Sequence, residues 1–208
     1  MKRLLVVFLF INAHVFAQIN TQPNQALVKD PFFNNPQKSA PAEKVKLVHS
    51  DFFQKSVDKY GGNPYFSGNV QFTHQGSVLT ADEVIFYQEQ NFVKAIGNVK
   101  LQNADGSVIT SGEMEYDGNT QKGIARKKVV LVDPGQTIET EVLYYDRLSN
   151  KAYFNTGGTI KKDGNVMYTK SATYDLASRL IDFTGNVKID NAEYTVEGVN
   201  IVQNQNTN

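Results

Sequence analysis

Cysteine and tryptophan are both absent from the 208 residues. Without cysteine there can be no disulfide, no thiol nucleophile and no lipid-modified N-terminal cysteine. Histidine is scarce, with three in all: His14, His49 and His74. His14 falls in an apolar leader and the other two lie in different segments, so no metal-spaced His pair exists. There is no G-x-S-x-G elbow either. Asp82 and Glu83 are adjacent, so on a strand they face opposite ways, and they read as solvated turn or edge residues. The Asp/Asn/Gly turns do not follow calcium-loop spacing. Net charge is also lacking, with 21 basic residues against 21 acidic. Lys and Arg are scattered rather than clustered, which argues against a nucleic-acid partner. An enzyme is therefore not expected, nor a cofactor or a metal.

What is present begins with a leader. Lys2 and Arg3 precede an unbroken apolar run from Leu4 to Ile11, and the segment closes on Val15-Phe16-Ala17. Residues 1–17 read as a cleavable secretory signal. The alternative, an uncleaved anchor, needs roughly 20 apolar residues, and Asn12 and His14 interrupt this run. Residues 18–44 hold four of the six prolines among Asn, Gln and Ser, a composition that reads as a disordered linker. Phe32 and Phe33 inside it could form a short docking motif. Residues 203–208 read as a polar tail. An exported chain without disulfides must hold itself by its core and sheet, and residues 45–202 are long enough to do so.

That region is periodic. Tyr87, Tyr116, Tyr145 and Tyr174 stand 29 residues apart, and "FSGNVQF", "AIGNVKL" and "FTGNVKI" repeat at 66–72, 95–101 and 183–189. Four copies and a partial fifth fit in 66–202, the mark of a repeat architecture. Each copy alternates polar and apolar residues rich in Val, Ile, Thr, Tyr and Phe, and turn residues recur at matching places. The all-β expectation follows. Inward parity slips by one between Ile109 and Met114 and again between Ile138 and Leu143, as a repeated β-bulge would cause. Gly-Asn before Val fits the awkward backbone of a corner. The third copy departs from it with Lys127-Lys128-Val129 and the fourth with Gly157-Gly158-Thr159.

Taken together, "SVLTADEVIFY", "FVKAIGNVKLQ", "EYDGNTQKGIA" and "DFTGNVKI" resemble the OstA-like, or LptA-type, periplasmic lipopolysaccharide-transport family across about 45–202. The resemblance implies an open, twisted β-jelly-roll of stacked turns whose groove holds the acyl chains of lipid A. It further implies a module bridging the inner and outer membranes. Its partners would be other jelly-roll domains of that type at each membrane, with head-to-tail self-association.

The inward candidates for the groove lining are Val70, Phe72, Ile85, Tyr87, Val99, Leu101, Ile109, Met114, Tyr116, Ile138, Leu143, Tyr145, Met167, Tyr174, Val187 and Ile189. An acyl chain of about a dozen carbons costs roughly 10 kcal/mol to expose to water, at about 0.8 kcal/mol per CH₂. A carrier must offer an apolar track along its length. The same residue types would also fill the closed core of a structural envelope protein or adhesin, and residue types alone favour that reading. Lys94, Lys122, Arg126, Lys127 and Lys128 are candidates for a cationic groove mouth.

Overall fold

The computed structural model describes residues 30–34 and 43–204. The leader, residues 18–29 and 35–42 of the proline-rich stretch, and the last four residues lie outside the described residues. The strands are β1 (Lys46–His49), β2 (Phe52–Lys55), β3 (Pro64–His74), β4 (Ser77–Tyr87), β5 (Phe92–Gln102), β6 (Val108–Asp117), β7 (Lys122–Asp133), β8 (Gln136–Asp146), β9 (Lys151–Phe154), β10 (Gly158–Lys162), β11 (Asn165–Thr169), β12 (Ser171–Asp175), β13 (Leu180–Asp190) and β14 (Thr195–Asn204). All belong to one antiparallel sheet, and β3 to β8 follow one another as a meander. One helical turn, Val57–Tyr60, joins β2 to β3, with Ser56 as its N-cap and Gly61 in the left-handed conformation at its end.

The chain forms these strands because each long one alternates apolar and polar side chains and is closed by a tight turn. Gln75-Gly76, Pro134-Gly135 and Asp163-Gly164 make two-residue hairpins, each Gly at positive φ. Every long strand then bends. Register breaks fall between Ser67 and Val70, Thr80 and Glu83, Ile96 and Val99, Thr110 and Glu113, and Arg126 and Val129. These breaks are the expected bulges, and they divide the sheet into two arms. On the far side the bend becomes a cut. β8 pairs with β9 along one arm and with β10 along the other, and β13 likewise divides between β12 and β11. The result is an all-β jelly-roll of stacked, V-shaped turns.

The Gly-Asn corner has a definite construction. Gly97 and Asn98 both have positive φ, 75° and 42°. Asn98 Nδ2 donates to Asp82 Oδ2 at 2.8 Å. A Cβ on Gly97 would stand 3.0 Å from Asp82 Cβ and run into its carboxylate. Asp51 meets Gly68-Asn69 in the same way, with Asn69 Nδ2 donating at 2.9 Å. In the third copy the small residue changes strands. Lys127 and Lys128 take the left-handed backbone, and Gly112 on β6 makes room, since a Cβ there would lie 2.9 Å from Lys127 Cβ. The "TAD" and "GNV" fragments are thus two halves of one joint.

One core fills the space between the arms. It runs from Val70 and Phe72 through Val99, Leu101, Ile109 and Leu131 on one arm, and from Phe66 through Met114, Leu143 and Phe183 on the other. Phe66 and Phe72, on either side of the bend in β3, meet edge to face at 5.7 Å.

Candidate functional site

The interior is the largest continuous apolar surface of the fold, and most of the expected lining faces it. Val70, Phe72, Val99, Leu101, Ile109, Met114, Tyr116, Ile138, Leu143, Tyr145, Met167, Tyr174 and Val187 are buried in the core, with Ile189 packed against it. Ile85 and Tyr87 are not part of this lining. The core side chains of β4 there are Val84 and Phe86, while Tyr87 packs on the opposite face with Phe92 and Ile124.

The reason is a hairpin loop. Leu79 and Ile109 both sit opposite Leu101 and are 30 residues apart, whereas Ile109 and Ile138 both sit opposite Leu131 at an interval of 29. The β5–β6 connection carries the extra residue. Asn103 N–H donates to Ser107 O at 2.9 Å across Ala104-Asp105-Gly106, where the hairpins at 75–76, 134–135 and 163–164 have two residues. Tyr87 therefore corresponds to Asp117, and both pair with Phe92.

The open ends of the two arms are tied together by polar groups. Tyr116 OH lies 2.8 Å from His74 Nδ1. His74 Nε2 lies 2.9 Å from the Glu43 carbonyl, which can only accept, so Nε2 carries the proton and neutral Nδ1 accepts from Tyr116. Burial, opposed by the Glu43 carbonyl and assisted by Arg147, holds the His74 pKa below its usual value. Tyr174 OH donates to Asp133 Oδ2 at 2.5 Å. Burial pushes Tyr116 up to about 12, and raises Tyr145 and Tyr174 further still. Arg147, in the β8–β9 turn, donates to the Gln75 carbonyl at 2.7 Å and to Gln75 Oε1 at 3.0 Å, across to the β3–β4 turn. Arg179 reaches the Pro134 carbonyl at 3.3 Å in the same manner. Sequence reading missed this row of clasps, because each links segments distant in the chain.

The cations expected at the mouth lie elsewhere. Lys94 and Arg126 both pair with Glu115 on the outer face. Lys127 pairs with Glu113 beside the corner, and Lys128 takes the left-handed backbone at the same corner. Lys122 is buried, 3.9 Å from Asp146 and 4.9 Å from the centre of the Phe32 ring. Among the described residues, Arg147 and Arg179 are cations that bridge the ends of the two arms.

In this state the clasped interior holds a cavity of about 20 Å³, lined by Val45, Phe72, Leu79, Met114, Tyr116 and Arg147 among others. That is space for about one water, so an acyl chain enters only if the arms part. No group of three or more His, Asp or Glu among the described residues could hold a metal, and no described helix is long and apolar enough to cross a membrane.

Strands exposed at each end complete the surface. Leu47, Val48, Phe52 and Phe53 are exposed along β1 and β2, as are Val196, Val199 and Val202 along β14.

No curated protein matches the chain. Among solved structures, LptH from Pseudomonas aeruginosa, described as the LptA-homologous periplasmic component of the lipopolysaccharide transport device, aligns at 14% identity. The alignment covers 76% of this chain and 95% of that one, with a TM-score of 0.29. The TCP10 domain of Danio rerio CPAP, as its E1021V mutant, aligns at 12% identity over 69% of this chain and 95% of that one, with a TM-score of 0.14. Superpositions this loose add nothing to the fold described above. The family match is of another kind, because the model of the OstA-like protein family covers residues 42–198, from just before β1 into β14 and through every corner and clasp; the chain belongs to the OstA-like protein family.

Proposed function

We propose that this chain is an exported, periplasmic module that takes lipopolysaccharide into its interior by the acyl chains and passes it between the membranes. The observation that carries the reading is the unbroken apolar interior, continuous from Phe72 to Ile189 through every repeat of an OstA-like chain. The transfer is non-covalent, and its energy comes from elsewhere. Acyl chains would replace contacts between the two arms, with the Tyr hydroxyls and Arg147 released at the mouth. Arg147 and Arg179 would then be free to meet the anionic headgroup, a charge-assisted contact that a zwitterionic phospholipid offers less strongly. Neighbouring modules would add to the exposed edges at β1–β2 and β14, where unpaired backbone groups invite another strand.

The rival reading, a spacer with a permanently sealed core, draws support from the small cavity. Mass spectrometry of lipid extracted after gentle purification separates the two. Acylated, phosphorylated glucosamine lipid at about one per protein is the expected result, and protein free of lipid would favour the spacer.

A further inference from the structure

The outer face of β5–β9 carries the charged Lys94, Glu115 and Arg126. Beside them, outward-facing Phe92, Ile124, Tyr144 and Tyr153 form an apolar socket. Phe92 and Ile124 are 1% and 0% exposed, because the chain's own Asp30–Asn34 segment lies over them. Phe33 meets Phe92 edge to face at 5.4 Å. Phe32 packs edge-on against Tyr144 at 5.3 Å and Tyr153 at 5.9 Å. The Lys122 ammonium stands over the Phe32 ring and donates to the Phe32 carbonyl at 3.4 Å. Asp30 accepts from Arg126 Nη2 at 3.3 Å. Arg126 meets the carboxylate, Phe92, Tyr144 and Tyr153 meet the two rings, and Lys122 meets the carbonyl, a set of contacts that fits the sequence Asp-x-Phe-Phe.

Eight residues, 35–42, separate this segment from Glu43. The chain then reaches the mouth of the interior. The Glu43 carbonyl accepts from His74 Nε2 at 2.9 Å and from Asn91 Nδ2 at 3.3 Å, and Val45 N–H donates to Asn91 Oδ1 at 2.9 Å. Val45 is 6% exposed, belongs to the core and lines the cavity next to Tyr116 and Arg147. Asn91 directly precedes Phe92, so the socket and the Val45 contact flank the same turn.

We propose that the socket is a receptor for an acidic di-aromatic peptide segment, and that its occupancy by Asp30–Phe33 holds Val45 in place as a stopper over the apolar interior. The short connection keeps the stopper at a high effective concentration while the socket is filled. A competing segment of the same chemistry, such as that of a second copy, releases it. The proposal deepens the carrier reading by naming what guards access, but the apolar interior alone is enough to test it.

The test uses the full exported chain and the apolar dye N-phenyl-1-naphthylamine, whose fluorescence rises on leaving water. Phe32→Ala/Phe33→Ala is expected to take up at least about threefold more dye than the unaltered chain. A peptide spanning residues 28–35 at millimolar concentration should raise uptake by the unaltered chain, and a scrambled peptide should not. Dye bound on the bared socket itself is distinguished by a lock. Lys46 and Thr73 are paired opposite each other on β1 and β3, and in a chain without cysteine Lys46→Cys/Thr73→Cys forms a single disulfide. In the Phe32→Ala/Phe33→Ala background the oxidised lock should return dye uptake to the original level, and reduction should restore the increase. Equal uptake with and without Phe32 and Phe33, an inert peptide, or dye that persists under the lock would each overturn the proposal. Failure to find lipopolysaccharide on a chain that passes these tests would instead remove the carrier reading and leave the strap.

Discussion

Gly97→Ala should be costly for two separable reasons, and a double-mutant cycle with Asp82→Ala separates them. The first cost is the backbone. Alanine at φ 75° sits in the left-handed region, at about 1 kcal/mol. The second is steric, because the new methyl meets the Asp82 carboxylate and displaces it from Asn98. Asp82 is exposed, so that term is about 1 kcal/mol or slightly less. Gly97→Ala alone should then cost about 2 kcal/mol. Asp82→Ala alone loses the Asn98 bond, about 0.5–1 kcal/mol. In the double variant the obstacle is gone and the bond is lost only once, so the pair should fall about 1 kcal/mol short of additivity. Urea unfolding followed by far-ultraviolet circular dichroism measures this, with the m-value unchanged throughout. Additivity within about 0.3 kcal/mol would refute the joint between the two motifs. The third copy supplies the mirror experiment. Lys127→Gly relieves the left-handed lysine and should stabilise the fold by up to about 1 kcal/mol, less the small contribution of the exposed Glu113 pair.

Tyr174→Phe should cost about 1–3 kcal/mol, because the buried Asp133 carboxylate loses its donor; Tyr168→Phe, exposed on the outer face, should change stability by less than about 0.5 kcal/mol, and equal effects would deny the clasp. His74 has a folded pKa below its unfolded value, so its contribution is complete above about pH 6.5 and is lost as the pH falls below that. The depressed carboxyls of Glu43, Asp175 and Asp190 act only at lower pH, so stability should fall between pH 7 and pH 5 and His74→Gln should flatten that slope. A slope unchanged by His74→Gln would assign it to other groups. Deleting residues 196–208 removes β14 and should weaken any concentration-dependent association seen by light scattering while circular dichroism stays β-rich; a chain that is strictly monomeric at high concentration with both edges intact would end the stacking proposal.

The sequence carried the strands, the bulges and most of the inward face, because all of these recur with the repeat. Leu143 and Tyr145, or Met114 and Tyr116, can be placed from periodicity alone. Periodicity misplaced Ile85 and Tyr87, since Tyr87 and Tyr116 are 29 residues apart by coincidence while the β5–β6 hairpin had lengthened the true interval to 30. At the Lys127-Lys128 corner the sequence departs from Gly-Asn, and nothing local shows that the small residue stands on the opposite strand as Gly112. Contacts between segments far apart in the chain leave no local signal. Arg147 with Gln75 is one example and Phe32 with Tyr144 is another, which is why a proline-rich stretch read as linker contains a docked segment.

The central claim is that the buried face, not the outer one, meets lipid. A photo-crosslinking residue in place of Tyr116 tests it against one in place of Glu115, its neighbour on β6 that faces outward and pairs with Lys94 and Arg126. Strand alternation makes the two sites differ in facing and hardly at all in position. In cells, the account expects lipopolysaccharide captured at 116 and none at 115. Capture at 115 alone would invert the face that carries lipid, and an exported, folded protein that captures lipid at neither position would contradict the carrier account.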